Sequence, residues 1–148
     1  MIHGDGDGRP PWIVFYFAAA HAAGRWEEMT VKFNYMTIFV RDLERSCAFY
    51  EQLAGLQVLR RITPPGGQIA FLGNAPGETM LELVAFAQGE KVETRGLTVS
   101  FLAGEDLEIL RRRAADLGYA PSEIVSHPPK PDHFTVADPD GIAVEFSR

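Results

Sequence analysis

From residue 33 onward the apolar and polar positions of the chain follow two rhythms. Phe33-Asn34-Tyr35-Met36-Thr37-Ile38-Phe39-Val40 is dense in β-branched and aromatic residues and predicts a strand. Asp42 then offers a helix N-cap. Leu43, Cys47, Tyr50 and Leu53 recur at helical spacing, and Gly55 offers a stop. Three short strands are predicted next, over 57–63, 68–72 and 79–86, each closed by proline, glycine or polar residues. After a polar linker at 88–95 the order repeats. A strand is expected at 97–102 and a helix at 105–117, with Leu107, Leu110, Ala114 and Leu117 on one face and a stop at Gly118. Strands follow near 122–126, 133–136 and 142–146, with Pro128, Pro129 and Pro131 breaking the run between the first two.

The repetition has one offset. Gly55 and Gly118 lie 63 residues apart, and so do Tyr35 and Thr98, and Glu82 and Glu145. This spacing indicates an internal duplication: two βαβββ modules, at about 33–88 and 96–148. A single βαβββ unit has one helix for its sheet and buries little alone. The expected fold is therefore α+β, with the two modules side by side in a curved eight-stranded mixed sheet. Its helices lie outside, and its concave face is the natural place for a small-molecule site.

Alternation along each strand assigns the faces. Ile142, Val144 and Phe146 should pack under a helix while Glu145 points the other way; Glu82 takes the equivalent position in the first module. Tyr35, Thr37 and Phe39 share the second face, as do Thr98, Ser100 and Leu102. An isolated buried carboxylate costs several kcal/mol, so Glu82 and Glu145 each need a partner: a hydrogen bond, a shared proton or a cation.

Composition narrows the function. With 46% hydrophobic and 23% charged residues the chain is an ordinary globular one, and its net charge of −6 argues against nucleic acid or an anionic membrane as partner. Cys47 is the single cysteine, which excludes internal disulfides and CxxC sites and fits a cytoplasmic location. Residues 1–28 contain an apolar run from Trp12 to Ala23. Asp5, Asp7, Pro10 and Pro11 precede it, with Arg9 alone as the positive region. We read 1–28 as a poorly structured extension before a domain at 29–148, in preference to a signal peptide.

Two motifs carry a family resemblance over about residues 33–148. The opening strand runs into Asp42-Leu43-Glu44-Arg45-Ser46, then Ala48-Phe49-Tyr50 and Gly55-Leu56; the chain ends in Asp138-Pro139-Asp140-Gly141 followed by Glu145. Both resemble the vicinal-oxygen-chelate superfamily, which groups glyoxalase I, bleomycin-resistance proteins and ring-cleaving dioxygenases. In metal-dependent members that resemble glyoxalase I, the resemblance implies His and Glu ligands on the first and last strands of each half. The glutamates match Glu82 and Glu145, whereas the histidine positions fall on Tyr35 and Thr98. A first-strand arginine of glyoxalase I falls on Phe39. The implied cofactor is a divalent metal (Ni, Zn, Mn or Mg). Two carboxylates with two hydroxyls suit hard ions such as Mg²⁺ or Mn²⁺ better than Ni²⁺ or Zn²⁺. His133 is a further candidate ligand.

Two functions follow from the resemblance. The first is a lyase or isomerase of the glyoxalase I (lactoylglutathione lyase) type, acting on a small carbonyl compound with Glu82 and Glu145 as ligand and base. The alternative is a metal-free small-molecule-binding protein of the bleomycin-resistance type. There Tyr35, Phe39, Phe86 and Thr98 would contact the ligand, and the glutamates would accept from a cationic one. The resemblance also implies a homodimer.

Overall fold

The computed structural model describes residues 31–148, so the expectation for residues 1–28 lies outside the described residues. Residues 34–148 form one compact unit. Its elements run β1 (Tyr35–Phe39), α1 (Leu43–Gln52), β2 (Gln57–Ile62), β3 (Gly67–Gly73) and β4 (Met80–Phe86). The second set is β5 (Thr98–Leu102), α2 (Leu107–Asp116), β6 (Val125–His127), β7 (Lys130–Ala137) and β8 (Ala143–Ser147). The βαβββ order occurs twice. β1 and β5 are both five residues long and start 63 residues apart, as do β4 and β8.

The strands are hydrogen-bonded as two four-stranded mixed sheets, one per module, in the orders β1-β4-β3-β2 and β5-β8-β7-β6. Each module's first strand runs parallel to its last, and the remaining pairs are antiparallel. β1 and β5 are therefore edge strands.

The helix ends follow the local chemistry. Asp42 caps α1 by accepting from the Arg45 backbone N–H, and Asp106 caps α2 by accepting from Glu108 and Ile109. Gly55 and Gly118 take positive φ of 67° and 92° after the helices, a conformation that disfavours side chains. The apolar faces come together as one core. Ile38, Val40, Cys47, Phe49, Tyr50 and Leu83 from the first module join Leu110, Phe134, Val144 and Phe146 from the second. Phe49 meets Tyr119 edge-on at 4.9 Å, and Tyr50 lies 6.2 Å from Phe101.

Polar bonds tie the two modules at the turn between β7 and β8. The Tyr50 hydroxyl donates to Asp138 Oδ2 at 2.8 Å, while Asp138 Oδ1 accepts the backbone N–H groups of Asp140 and Ile142. Asp140 accepts from the Arg41 backbone and guanidinium and from the Ser46 hydroxyl. Burial pushes the Asp138 carboxyl up, against the lowering effect of the Tyr50 hydroxyl and the two backbone N–H groups.

Two strand limits differ from the sequence-based expectation. β7 begins at Lys130 rather than near His133, and β6 covers Val125–His127. The prolines do not stop β7. The ladder to β8 begins at His133, opposite Ser147, so the missing N–H of Pro131 removes no bond from that ladder.

Candidate functional site

The face of each sheet away from its helix carries its glutamate in the same setting. In β1–β4 register, Thr37 is the partner of Glu82, and in β5–β8 register Ser100 is the partner of Glu145. The Thr37 hydroxyl donates to Glu82 Oε2, and the Ser100 hydroxyl donates to Glu145 Oε1 at 3.0 Å. Duplication has thus placed a hydroxyl–carboxylate pair at matched positions of both sheets. The hydroxyls come from Thr37 and Ser100, two residues beyond Tyr35 and Thr98 in each edge strand.

In the first module the glutamate lies in a lateral row. Arg60 faces Phe71, Phe71 faces Glu82, and Glu82 faces Thr37, one residue from each of β2, β3, β4 and β1. The Arg60 guanidinium carbon lies 5.9 Å from the Phe71 ring centroid, and Tyr35 meets that ring edge-on at 5.6 Å. Such a guanidinium–ring contact is favourable by about 0.5–1 kcal/mol at an exposed site. Thr37 is the sole hydrogen-bond or ion-pair partner recorded for Glu82 among the described residues.

In the second module the setting has changed. Glu145 is almost buried, with a side chain 9% exposed, and the Lys130 ammonium is bonded to its Oε2. That ammonium, helped by Ser100, holds the Glu145 carboxyl below the usual carboxylate range despite the opposing effect of burial. His133 completes the cluster, with Nε2 3.8 Å from the same Glu145 oxygen and Nδ1 2.9 Å from the Pro131 carbonyl oxygen.

The other residues singled out from sequence divide between these faces. Tyr35 and Phe39 stand half-exposed on edge strand β1 and Thr98 is exposed on β5, opposite Ala143 rather than Glu145. Phe86 ends β4 with its ring over Gly67, where any side chain would collide with it. Glu82 and Glu145 belong to different sheets and share no recorded partner among the described residues. His133 does reach Glu145.

Thr37, Ser100, Arg60, Phe71 and Lys130 were not assigned roles from sequence. Alternation put Thr37 and Ser100 on the right face, but only strand register sets them against the glutamates. Lys130 lay in a proline-rich stretch that gave no strand signal.

Cavities among the described residues lie elsewhere. One of about 520 Å³ is lined by Arg41, Val92, Arg95 and Asp140 at the linker. Another of about 410 Å³ sits where Gly55 approaches Leu102, Arg113 and Phe146. Arg41 is engaged by Asp140, Glu93 and the Val92 carbonyl, which gives the first a structural character. Among the described residues no helix is long and apolar enough to cross a membrane.

Two tandem βαβββ modules, each with a glutamate on the face away from its helix, define an α+β protein of the paired-module class. The family model for the Glyoxalase/Bleomycin resistance protein/Dioxygenase superfamily matches residues 32–146, and the chain belongs to that superfamily. An uncharacterized Bacillus subtilis protein, YwbC, is 31% identical over 126 residues, covering 80% of this chain and 98% of the relative. Among solved structures, the trypanothione-dependent glyoxalase I of Leishmania major aligns with a TM-score of 0.66 at 25% identity, over 80% of this chain and 87% of that one. The Streptomyces antibiotic-binding protein TnmS3 aligns with a TM-score of 0.63 at 21% identity, over 81% and 98%, a likeness of fold.

Many members of this superfamily hold a divalent metal, and the residues present do not fit one. Glu145 Oε2 is taken by an ammonium, and Tyr35 packs against Phe71. Thr98 lies opposite an alanine, and Glu82 has a threonine hydroxyl as its neighbour. Among the described residues no three His, Cys, Asp or Glu side chains gather as a donor set. Neutral hydroxyls are weak ligands, and a cation already neutralises the buried carboxylate.

Proposed function

We propose that the chain is a small-molecule-binding protein of the bleomycin-resistance kind, with its ligand on the face of the first sheet away from its helix. The observation that carries this reading is the row Arg60–Phe71–Glu82–Thr37 with Tyr35 against Phe71. It combines an aromatic surface, a guanidinium above that surface and a carboxylate with no cationic partner among the described residues. A planar aromatic ligand bearing a cationic or N–H group would stack on Phe71 and Tyr35 and donate to Glu82. The antibiotic-binding activity of TnmS3, which shares the fold, is consistent with this assignment.

Proflavine, a planar aromatic cation, is a suitable first probe. Saturable quenching of its fluorescence by the full chain is expected, weakened at least about tenfold by Phe71→Ala or Glu82→Gln. Binding unchanged in both variants would overturn the assignment.

A second reading rests on the same carboxylate. Among the described residues no cation neutralises Glu82, which leaves it able to take a proton from a bound carbonyl compound. Metal-independent isomerisation of the hemithioacetal of methylglyoxal and glutathione, abolished by Glu82→Gln, would support a glyoxalase-like lyase over a binding protein. An absence of turnover with retained proflavine binding supports the first reading.

The chain is further proposed to act as a homodimer. β1 and β5 are both edge strands, and Phe39 and Leu102 stand 41% and 83% exposed on them. Exposed apolar edge strands are surfaces that a second copy would cover.

A further inference from the structure

In the second sheet two potential metal donors lie beside a side-chain cation. They are Glu145 Oε2 and His133 Nε2, 3.8 Å apart, while the Ser100 hydroxyl donates to the other carboxylate oxygen, Glu145 Oε1, at 3.0 Å. The imidazole is set in the orientation that metal-binding histidines use. A carbonyl oxygen only accepts, so the 2.9 Å contact between Nδ1 and the Pro131 carbonyl puts the proton of the neutral ring on Nδ1. Nε2 then carries the lone pair, close to the carboxylate. A gap of 3.8 Å between a nitrogen and a carboxylate oxygen is near what one ion bridging both at about 2.1 Å would need.

The position between them is contested by Lys130. Its ammonium is bonded to the same carboxylate oxygen that a metal would require. The first strand residue of β7 supplies it, three residues before His133, and the hairpin between β6 and β7 fixes it there. A divalent ion entering this site would have to displace the ammonium or sit beside it. The first loses a charge-assisted hydrogen bond to a nearly buried carboxylate, and the second sets like charges against each other.

We propose that Lys130 is the resident cation of the second module: it pairs with Glu145, occupies the place of a divalent metal and closes a latent Glu145–His133 site to metals. Among the described residues the first module has no equivalent, since Glu82 has the Thr37 hydroxyl beside it and no lysine or histidine bonded to it. The duplicated glutamates have therefore diverged, one open to ligand and one neutralised from within the fold. The inference does not rest on the ligand reading above. Metal uptake and proflavine binding are measured separately, and either can fail without the other.

The test is a calorimetric titration of the full chain, stripped with chelator, with Zn²⁺ or Co²⁺. The wild-type chain should show no one-equivalent binding that Glu145→Gln removes. Lys130→Met, at a half-exposed position, should bind one equivalent at least about tenfold more tightly than wild type. That increase should disappear in Lys130→Met/His133→Ala and in Lys130→Met/Glu145→Gln. Lys130→Arg, which keeps the charge, should behave as wild type. One-equivalent wild-type binding that depends on Glu145 would overturn the proposal, as would a folded Lys130→Met chain with no tighter binding. Should Lys130→Met not fold, the wild-type imidazole resonances decide: His133 signals unmoved by one equivalent of Zn²⁺ support the proposal, and a shift of His133 Nε2 overturns it.

Discussion

The Tyr50 hydroxyl, on the first helix, donates at 2.8 Å to the Asp138 carboxylate, which lies 88 residues further along the chain in the final turn. Both side chains are buried, and together with Asp140, Arg41 and Ser46 they join the two halves of the molecule. The two motifs that carry the family resemblance therefore meet in space. Their role is to hold the modules together, away from the glutamates.

Removing the hydroxyl should expose how much this bond contributes. Tyr50→Phe leaves Asp138 Oδ2 without its donor in the interior, and such an unsatisfied buried group costs about 1–3 kcal/mol. Urea denaturation should show a lower midpoint at an unchanged slope. Asp138→Ala should cost more, because it also removes the acceptor of the Asp140 and Ile142 backbone N–H groups.

Cys47 offers a prediction in pH. Only 1% of it is exposed, and burial pushes its thiol from 9.0 up to about 11. The folded state thus holds the thiol proton more tightly than the unfolded state. The stability associated with it is complete below pH 9 and is lost as pH rises from about 9 towards 11. The difference in unfolding free energy between wild type and Cys47→Ala should shrink over that window. At pH 8 an aromatic disulfide reagent should modify the native thiol only as fast as the chain opens.

Gly67 is a packing requirement of Phe86. The aromatic ring lies where a Cβ at position 67 would stand, and Gly67 and Phe86 are register partners of β3 and β4. Gly67→Ala should destabilise by about 1–3 kcal/mol through overpacking. The double variant Gly67→Ala/Phe86→Leu should recover part of that loss, and additive costs in thermal unfolding would argue against the contact as cause.

The edge strands make the oligomeric state testable. Phe39→Arg and Leu102→Arg each place a charge on an exposed edge position. Light scattering coupled to size exclusion should give a dimer mass for the wild-type chain and a monomer mass for the double variant, with unchanged circular dichroism. A monomeric wild-type chain at micromolar concentration would refute the dimer.

Much of the architecture was legible in the residues. Capping by Asp42, the left-handed glycines after each helix, and the common offset of 63 are local or periodic features, and sequence spacing encodes them directly. Alternation likewise put Ile142, Val144 and Phe146 in the core and Glu145 on the other face. The site was legible only by half. Glu82, Glu145, Tyr35 and His133 could be singled out as residue types in a suspicious place, but their neighbours could not. Thr37 and Ser100 reach the glutamates through the register of parallel strands 45 residues apart, which no local pattern specifies.

The sequence by itself thus determined the module, its duplication and the facing of each strand, because periods of two and 3.6 residues are written along the chain. Only the tertiary structure decided what surrounds each carboxylate. Lys130 and Glu145 meet outside strand register, since Lys130 pairs with His127 of β6 and Glu145 with Thr135 of β7, and the long lysine side chain spans the difference. Charge pairing acts through space, so two glutamates equivalent in sequence can stand in different electrostatic surroundings.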